Sequence, residues 1–573
     1  MNNNQNLVIA VILSVVILIG FQYFYAAPQE AQQQKQAQLA AAVTKQQGQA
    51  PAAPAGPAVP AASAAMPRAE IIKQNPRVAI VTPALSGSID LRGARIDDLT
   101  LNKYHVSAKK GSPDVVLLSP AGSAAPHHAY YAELGWLGGD HVDVPTADSE
   151  WRSGGGQLTP DHPVKLSWDN GHGLFFFRTI AIDDHFMFTV SDDVRNETGA
   201  PVTLYPYGLV TRQGEPAYLG SYILHEGPLG VLDGTLDEYS YKSLKEAGHK
   251  TGASEGGWLG ITDKYWLVAV IPPADEKFTA DFTYTAAAHA GDGHFQSDFR
   301  GAPVVLAPGA SVERTVHLFA GAKRLSLIDR YQDQYQIPHF DRAIDFGWFY
   351  FLTKPFLTFL DFMGYLFGNF GLAILAFTVM LKAATLPLSV KSYRAMARMK
   401  ALQPELKSLQ ERFKDDKMRQ QQEMMGLYKR EKVNPAAGCL PTLIQIPIFF
   451  ALYKVLYVSI EMRQAPFYGW IHDLSAPDPS SVFTLFGAIP WTPPSFLHIG
   501  VWPLLMGISM FLQQRLSPQP PDKSQARIFM IMPVMFTYML AKMPAGLVIY
   551  WTWSNLLSIA QQWFVMRKVK AGR

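Results

Sequence analysis

Leu372-Ala373-Ile374-Leu375-Ala376-Phe377-Thr378-Val379-Met380-Leu381-Lys382 sets the architecture of this chain: an apolar run with one polar interruption ends on a lysine, and Pro387 follows five residues later. A lysine at membrane depth costs about 2.5–3.5 kcal/mol on insertion scales, and such residues mark pathways or polar cavities. From Ala436 to the C-terminus the only acids are Glu461, Asp473, Asp478 and Asp522, and each lies between apolar runs. Lys382 therefore has no carboxylate partner inside those runs. A hydrated groove that meets an acidic substrate in passing explains such a cation. The plainer alternative is a stem that snorkels to headgroups roughly 7–8 Å away, at about 1.5 Å of rise per residue.

Stretches of the same character recur along the chain. The expected spans are Leu7–Tyr25, Leu366–Leu386, Gly438–Val458, Ile499–Leu516, Ile528–Met543 and Ala545–Met566. Leu7–Tyr25 reads as an uncleaved anchor rather than a signal peptide: the run is long, Met1–Asn6 carries no Lys or Arg, and Tyr25-Ala26-Ala27-Pro28 is a poor cleavage site. The fifth span is short against a hydrocarbon core of about 30 Å, which thins the bilayer where a polar segment would cross.

Residues 26–69 are built largely from Ala, Gln and Pro, a composition that cannot bury a core, and read as a flexible tether. From residue 70 to 325 the texture changes to short apolar runs: Val78–Val81, Val164–Trp168, Leu174–Ile182, Phe186–Val190, Tyr265–Ile271 and Val312–Phe319. Turn signals such as Asp169-Asn170-Gly171 separate them, and several runs alternate polar and apolar residues. The expectation is one large antiparallel β-sandwich. The single cysteine, Cys439, excludes an internal disulfide framework, so ordinary core burial has to hold the sandwich together. In residues 326–365 the aromatic-rich stretch Ile344–Phe362, with Lys354-Pro355 inside it, is too broken for a span and reads as a helix lying at the interface.

Loop charge sets orientation. Lys391–Lys432 holds 12 Lys/Arg against 6 Asp/Glu, and Lys523 and Arg527 sit in the loop 517–527. The tail 567–573 carries Arg567, Lys568, Lys570 and Arg573, whereas the segment Ser459–His498 has only Arg463. Both basic loops and both termini are thus expected inside, and the sandwich outside. There is no G-x-x-x-x-G-K-[ST] loop, no H-E-x-x-H and no Cys-rich metal pattern. Neither ATP hydrolysis nor a metal cofactor is expected.

Three polar stripes could line a cavity: Thr378, Lys382 and Thr385 on the second span; Gly438, Thr442, Gln445, Phe449 and Leu452 on the third; Trp551, Ser554, Asn555, Ser558 and Gln562 on the sixth. Taken singly, the last two are as well explained by interhelical packing. Lys454 and Lys542 fall near the outer ends of their spans and read as snorkelling. The segment 387–434 reads as a helical hairpin, broken near Lys414-Asp415-Asp416-Lys417, with Met396, Met399, Met418, Met424 and Met425 beside its basic residues. Methionine suits surfaces that accept varied apolar partners, and the basic residues suit lipid headgroups, ribosomal RNA or an acidic chain. The rival reading is a solvated hairpin with a few buried methionines. His127-His128 and His225-Glu226 in the sandwich have no diagnostic spacing.

The run Val433-Asn434-Pro435-Ala436-Ala437-Gly438-Cys439-Leu440-Pro441, with Leu443-Ile444-Gln445-Ile446-Pro447-Ile448-Phe449, resembles the YidC/Oxa family of membrane insertases. So do Gln464-Ala465-Pro466-Phe467, Trp470-Ile471-His472-Asp473-Leu474-Ser475 and Pro544-Ala545-Gly546-Leu547-Val548-Ile549-Tyr550. The resemblance covers roughly residues 340–570, and the anchor, tether and outer sandwich match the Gram-negative layout more loosely. It implies an α-helical membrane protein with a five-helix core, a periplasmic β-super-sandwich and a positively charged groove open to cytoplasm and lipid. It also implies an inner-membrane location, no enzymatic activity, and as partners nascent membrane proteins, the Sec translocon, the ribosome, the signal recognition particle receptor and the bilayer.

Where that family commonly has Arg, this chain has Lys382, which keeps the charge but lacks the bidentate fork. Thr378, Ile446, Phe449 and Trp551 match substrate-contacting positions; the last is commonly Tyr. Two other classes stay open on the residues alone. A secondary transporter would usually need intramembrane acids for proton coupling, which the five-span core lacks. An anchored sugar-binding or mutarotase-like envelope protein would use the spans only as an anchor.

Overall fold

In a computed structural model the described residues are 65–216, 224–287, 292–431, 440–487, 499–517 and 523–571, with positions 433, 489 and 494. The anchor Leu7–Tyr25, most of the tether and most of the motif 433–441 lie outside them, as do the side chains of residues 440–444. The chain divides into two compact units after Ile344.

The first unit is a β-sandwich of a ten-stranded and a nine-stranded sheet, in which every strand pairing is antiparallel. Period-two patterning builds it. Leu174, Phe176, Arg178, Ile180 and Ile182 on strand Leu174–Ile182 are buried, while the residues between them are half-buried or exposed. The turn after strand Val164–Asp169 is made by Gly171, whose φ of 72° needs no Cβ and whose N–H donates to Asp169 Oδ1 at 2.7 Å.

Core burial is not the whole of its cohesion. Arg178 is buried on the inward face and grips Asp192 through two hydrogen bonds of 2.7 and 2.8 Å, and Trp136 Nε1 of the other sheet donates to the same carboxylate at 2.9 Å. Arg95 meets Glu133 at 2.6 Å, which also accepts from Tyr207 Oη at 2.6 Å. Arg212 pairs with Asp263, and Arg77 with Asp97. The expected core burial is present throughout the sandwich, and this set of buried arginine–carboxylate pairs lies within it. His225 Nε2 donates to Pro228 O at 3.1 Å, and Glu226 takes the Lys264 N–H; both are structural contacts.

The second unit is helical: α1 (Tyr350–Phe367), α2 (Phe370–Ala384), α3 (Leu386–Ala401), α4 (Gln403–Arg412), α5 (Lys417–Arg430), α6 (Leu440–Val458), α7 (Val501–Leu516), α8 (Lys523–Leu540) and α9 (Ala545–Ala571). Asn369 starts α2 by accepting the Leu372 N–H at 3.1 Å. At Thr385 the chain bends 66° into α3, with Pro387 in its first turn, where a missing N–H costs nothing. The stretch Ile344–Phe362, expected to be helical though too broken for a span, is helical from Tyr350 onward, and α1 passes through Pro355 without a break. Its buried residues, Thr353, Leu357, Leu360 and Gly364, form one stripe, and Phe351, Phe362 and Tyr365 are exposed.

Asp478, in the segment before α7, shows how an acid with no cation among the described residues is kept. Its Oδ1 accepts from Trp470 Nε1 and from the N–H and hydroxyl of Ser480, and its Oδ2 accepts Trp502 N in the first turn of α7. Among the described residues no single helix is long and apolar enough to cross a membrane. The bent pair α2–α3 passes that test jointly, and Gln445–Val458 and Arg527–Leu540 are shorter apolar helices.

Candidate functional site

Lys382 leaves the last turn of α2 and points at α9. Its ammonium donates to Ser558 Oγ at 2.9 Å and, more weakly, to Gln445 Oε1 of α6 at 3.4 Å. Both acceptors are oriented by second hydrogen bonds. The Ser558 hydroxyl proton goes to Ser554 O at 2.8 Å, one turn back, which leaves an oxygen lone pair for the lysine. Gln445 Nε2 donates to Tyr550 Oη at 2.8 Å, which turns its oxygen toward Lys382. Gln561 Nε2 in turn reaches Lys382 O at 3.4 Å. Among the described residues Lys382 has no ion pair, so its charge is held by neutral dipoles of two helices, α6 and α9.

The expected stripe on the sixth span divides. Ser558 faces Lys382, whereas Asn555 turns to α7 and donates to Ser509 Oγ at 3.0 Å. Tyr550 and Gln561 escaped the sequence reading, although Tyr550, Ser554, Ser558 and Gln561 fall one turn apart on one face. Gln561 Oε1 and Gln562 Nε2 are buried without a hydrogen-bond partner among the described residues.

The apolar positions also separate. Phe449 packs on Trp551 with ring centroids 4.6 Å apart, and Trp551 meets Phe536 of α8 at 5.7 Å, so one ring links three helices. Ile446 is 45% exposed on the open face. Thr378 is only 1% exposed, and its hydroxyl is bound to Ile374 O at 2.6 Å. It is part of the helix packing here, not of the open surface.

Lys454 corrects the snorkelling expectation. It is 8% exposed and its ammonium lies 2.7 Å from Asp345 Oδ2. In the hairpin, Met399 and Met424 pack against Leu402, Leu406, Leu427 and Val433, while Met396 is half-buried. Met418 and Met425 are exposed beside Arg419 and Lys429. The methionine set is thus part core and part surface.

Comparison with known proteins covers the whole chain. The family described as YidC periplasmic domain matches residues 77–359, and the family described as 60Kd inner membrane protein matches residues 362–572. Membrane protein insertase YidC of Methylorubrum extorquens (strain PA1) is 49% identical, over 99% of this chain and 96% of that protein. The same-named protein of Methylobacterium nodulans is 51% identical over 99% and 95%. A crystal structure of an active YidC insertase covers 85% of this chain and 92% of its own at 17% identity, with a TM-score of 0.36, too loose a likeness to bear on the site's geometry. By the two family matches and these near-full-length identities, the chain belongs to the YidC family of membrane protein insertases.

Proposed function

We propose that this chain inserts and helps fold integral membrane proteins in the bacterial inner membrane, alone or beside the Sec translocon, without nucleotide or cofactor. The observation that carries the reading is the Lys382 ammonium, held between α2, α6 and α9 by Ser558 and Gln445 with no carboxylate paired to it among the described residues. Neutral dipoles satisfy a buried ammonium without cancelling its charge, so a substrate carboxylate still gains by approaching. The unpartnered polar atoms of Gln561 and Gln562 suit a wetted site.

In this reading α2, α6, α7, α8 and α9 are the membrane core, α1 lies at the outer interface, Leu7–Tyr25 is an anchor, both termini are cytoplasmic and the sandwich is periplasmic. The exposed Met418 and Met425, among basic residues of the hairpin, receive a nascent apolar segment, where the ribosome and the signal recognition particle receptor would also dock. Lys382, Ser558 and Gln445 hold the short polar tail of the substrate inside the membrane. Its apolar helix then passes Ile446, Phe449 and Trp551 into lipid, driven by hydrophobic transfer. Membrane potential contributes about 2.3 kcal/mol per charge per 100 mV for an acidic tail moving outward.

The test is insertion of a small two-span substrate into liposomes holding only this protein, read by protease protection. Wild type and Lys382→Arg are expected to insert, and Lys382→Ala to lose most of the gain over empty liposomes. No gain by folded wild type would overturn autonomous insertion; equal activity in Lys382→Ala would remove the charge from the mechanism.

A further inference from the structure

Lys454 sits on the side of α6 turned away from the groove: nine residues separate it from Gln445, about two and a half helical turns. Its partner Asp345 is the centre of a small hook. One carboxylate oxygen takes the Lys454 ammonium at 2.7 Å and the other takes the Gly347 N–H at 3.0 Å. Gly347, at φ 66°, brings the chain against the lysine stem, where an added Cβ would stand 3.4 Å from Lys454 Cε. Phe346 is buried and meets Tyr350, the first residue of α1, edge-on at 5.4 Å. From that fixed start α1 packs on both α2 and α6. Its Phe356 and Phe359 lie 4.9 and 5.6 Å from Phe377, the neighbour of Thr378.

The two helices that present Lys382 and Gln445 are thus held from behind by one helix whose lead-in segment, Asp345 to Phe349, is tied to one of them. We infer that Asp345 and Lys454 form a positioning ion pair that fixes α1 behind the groove and thereby sets the separation of its walls, α2 and α6. An apolar contact would hold α1 over a range of registers, whereas a desolvated ion pair has one favourable geometry. The link to insertion rests on the groove reading above; the wall separation does not.

The test uses the full chain in lipid nanodiscs, with Cys439→Ser as background and spin labels at Val379→Cys and Phe450→Cys, exposed positions on the two walls. Asp345→Asn and Lys454→Met are expected to lengthen and broaden the inter-label distance and to cut insertion several-fold. The reversed pair Asp345→Lys with Lys454→Asp is expected to restore both. Unchanged distances in either single variant overturn the inference, as does a lengthening that the reversed pair leaves unrepaired, which would mark a steric role alone. If a single variant fails to fold, Lys454→Arg carries the test, keeping the wild-type distance only if the charge is what matters. Lys382→Ala, run alongside, reports on the groove reading separately: unchanged insertion there leaves the distance result standing.

Discussion

Ser558 Oγ accepts the Lys382 ammonium at 2.9 Å while giving its own proton to Ser554 O at 2.8 Å. The serine is therefore a fixed acceptor with nothing to donate to an arriving anion. Its removal and its replacement by an acid should have different effects. Ser558→Ala loses one neutral acceptor, a change of about 1 kcal/mol or roughly fivefold at most, and leaves the charge. Ser558→Asp puts a carboxylate on the ammonium, and insertion of an acidic-tailed substrate should fall as far as in Lys382→Ala. Liposome insertion of matched acidic and neutral tails checks this; equal loss in Ala and Asp would mean that the hydroxyl, not the charge, is what counts.

Ile446 of α6 and Thr378 of α2 differ in access, 45% against 1% exposed. A photo-crosslinking residue at 446 should capture a stalled nascent substrate, and one at 378 should capture it at background level. Strong capture at 378 would show that the Thr378–Ile374 packing opens during insertion.

Much of this was legible in the sequence, and the parts that were not share a cause. Lys382 stood out because a cation in an apolar run has few explanations, and the sandwich strands announced themselves by alternation. What periodicity gives is a face, not the neighbour that face meets. Asn555 and Ser558 belong to one stripe but go to different helices, and nothing local to α9 tells Ser509 from Lys382 as a partner. Lys454 was misjudged for the same reason: its counter-ion lies 109 residues earlier, at the head of a different helix. Arg178 is the instructive intermediate. Its place between Phe176 and Ile180 puts it on the inward face by alternation alone, and the need for a buried acid opposite follows, but not that Asp192 supplies it.

That arginine gives a stability prediction. Arg178 is 1% exposed, and Asp192 joins it to Trp136 of the facing sheet. Removing one partner strands the other charge, at about 3–5 kcal/mol. Arg178→Ala should lower the sandwich's melting temperature by about 10 °C, taking about 2–4 °C per kcal/mol for a domain of this size. Arg178→Met with Asp192→Leu, which removes both charges, should recover most of that loss. Near-ultraviolet circular dichroism on the full chain in detergent reads both, and a double variant as weak as the single would show that shape rather than charge dominates.

Asp298 gives the sandwich a pH dependence of unusual sign. Burial pushes its carboxyl up to about 7, against the hydrogen bond it accepts from Gln296 Nε2 at 2.9 Å. In the unfolded chain an aspartate titrates near 4. Between those values the folded state keeps a proton that the unfolded state has released, so folding binds protons and stability falls as pH rises. The contribution is fully present below about pH 4, declines through the interval and is gone above about 7. Asp298→Asn replaces the protonated acid with a neutral isostere. It should leave the sandwich as stable as wild type near pH 4 and more stable at pH 8, flattening the stability–pH curve between. Denaturant unfolding followed by tryptophan fluorescence at pH 4, 6 and 8 measures this directly. A wild-type curve that keeps its full slope in the variant would place the titration elsewhere and leave Asp298 ionised in the fold.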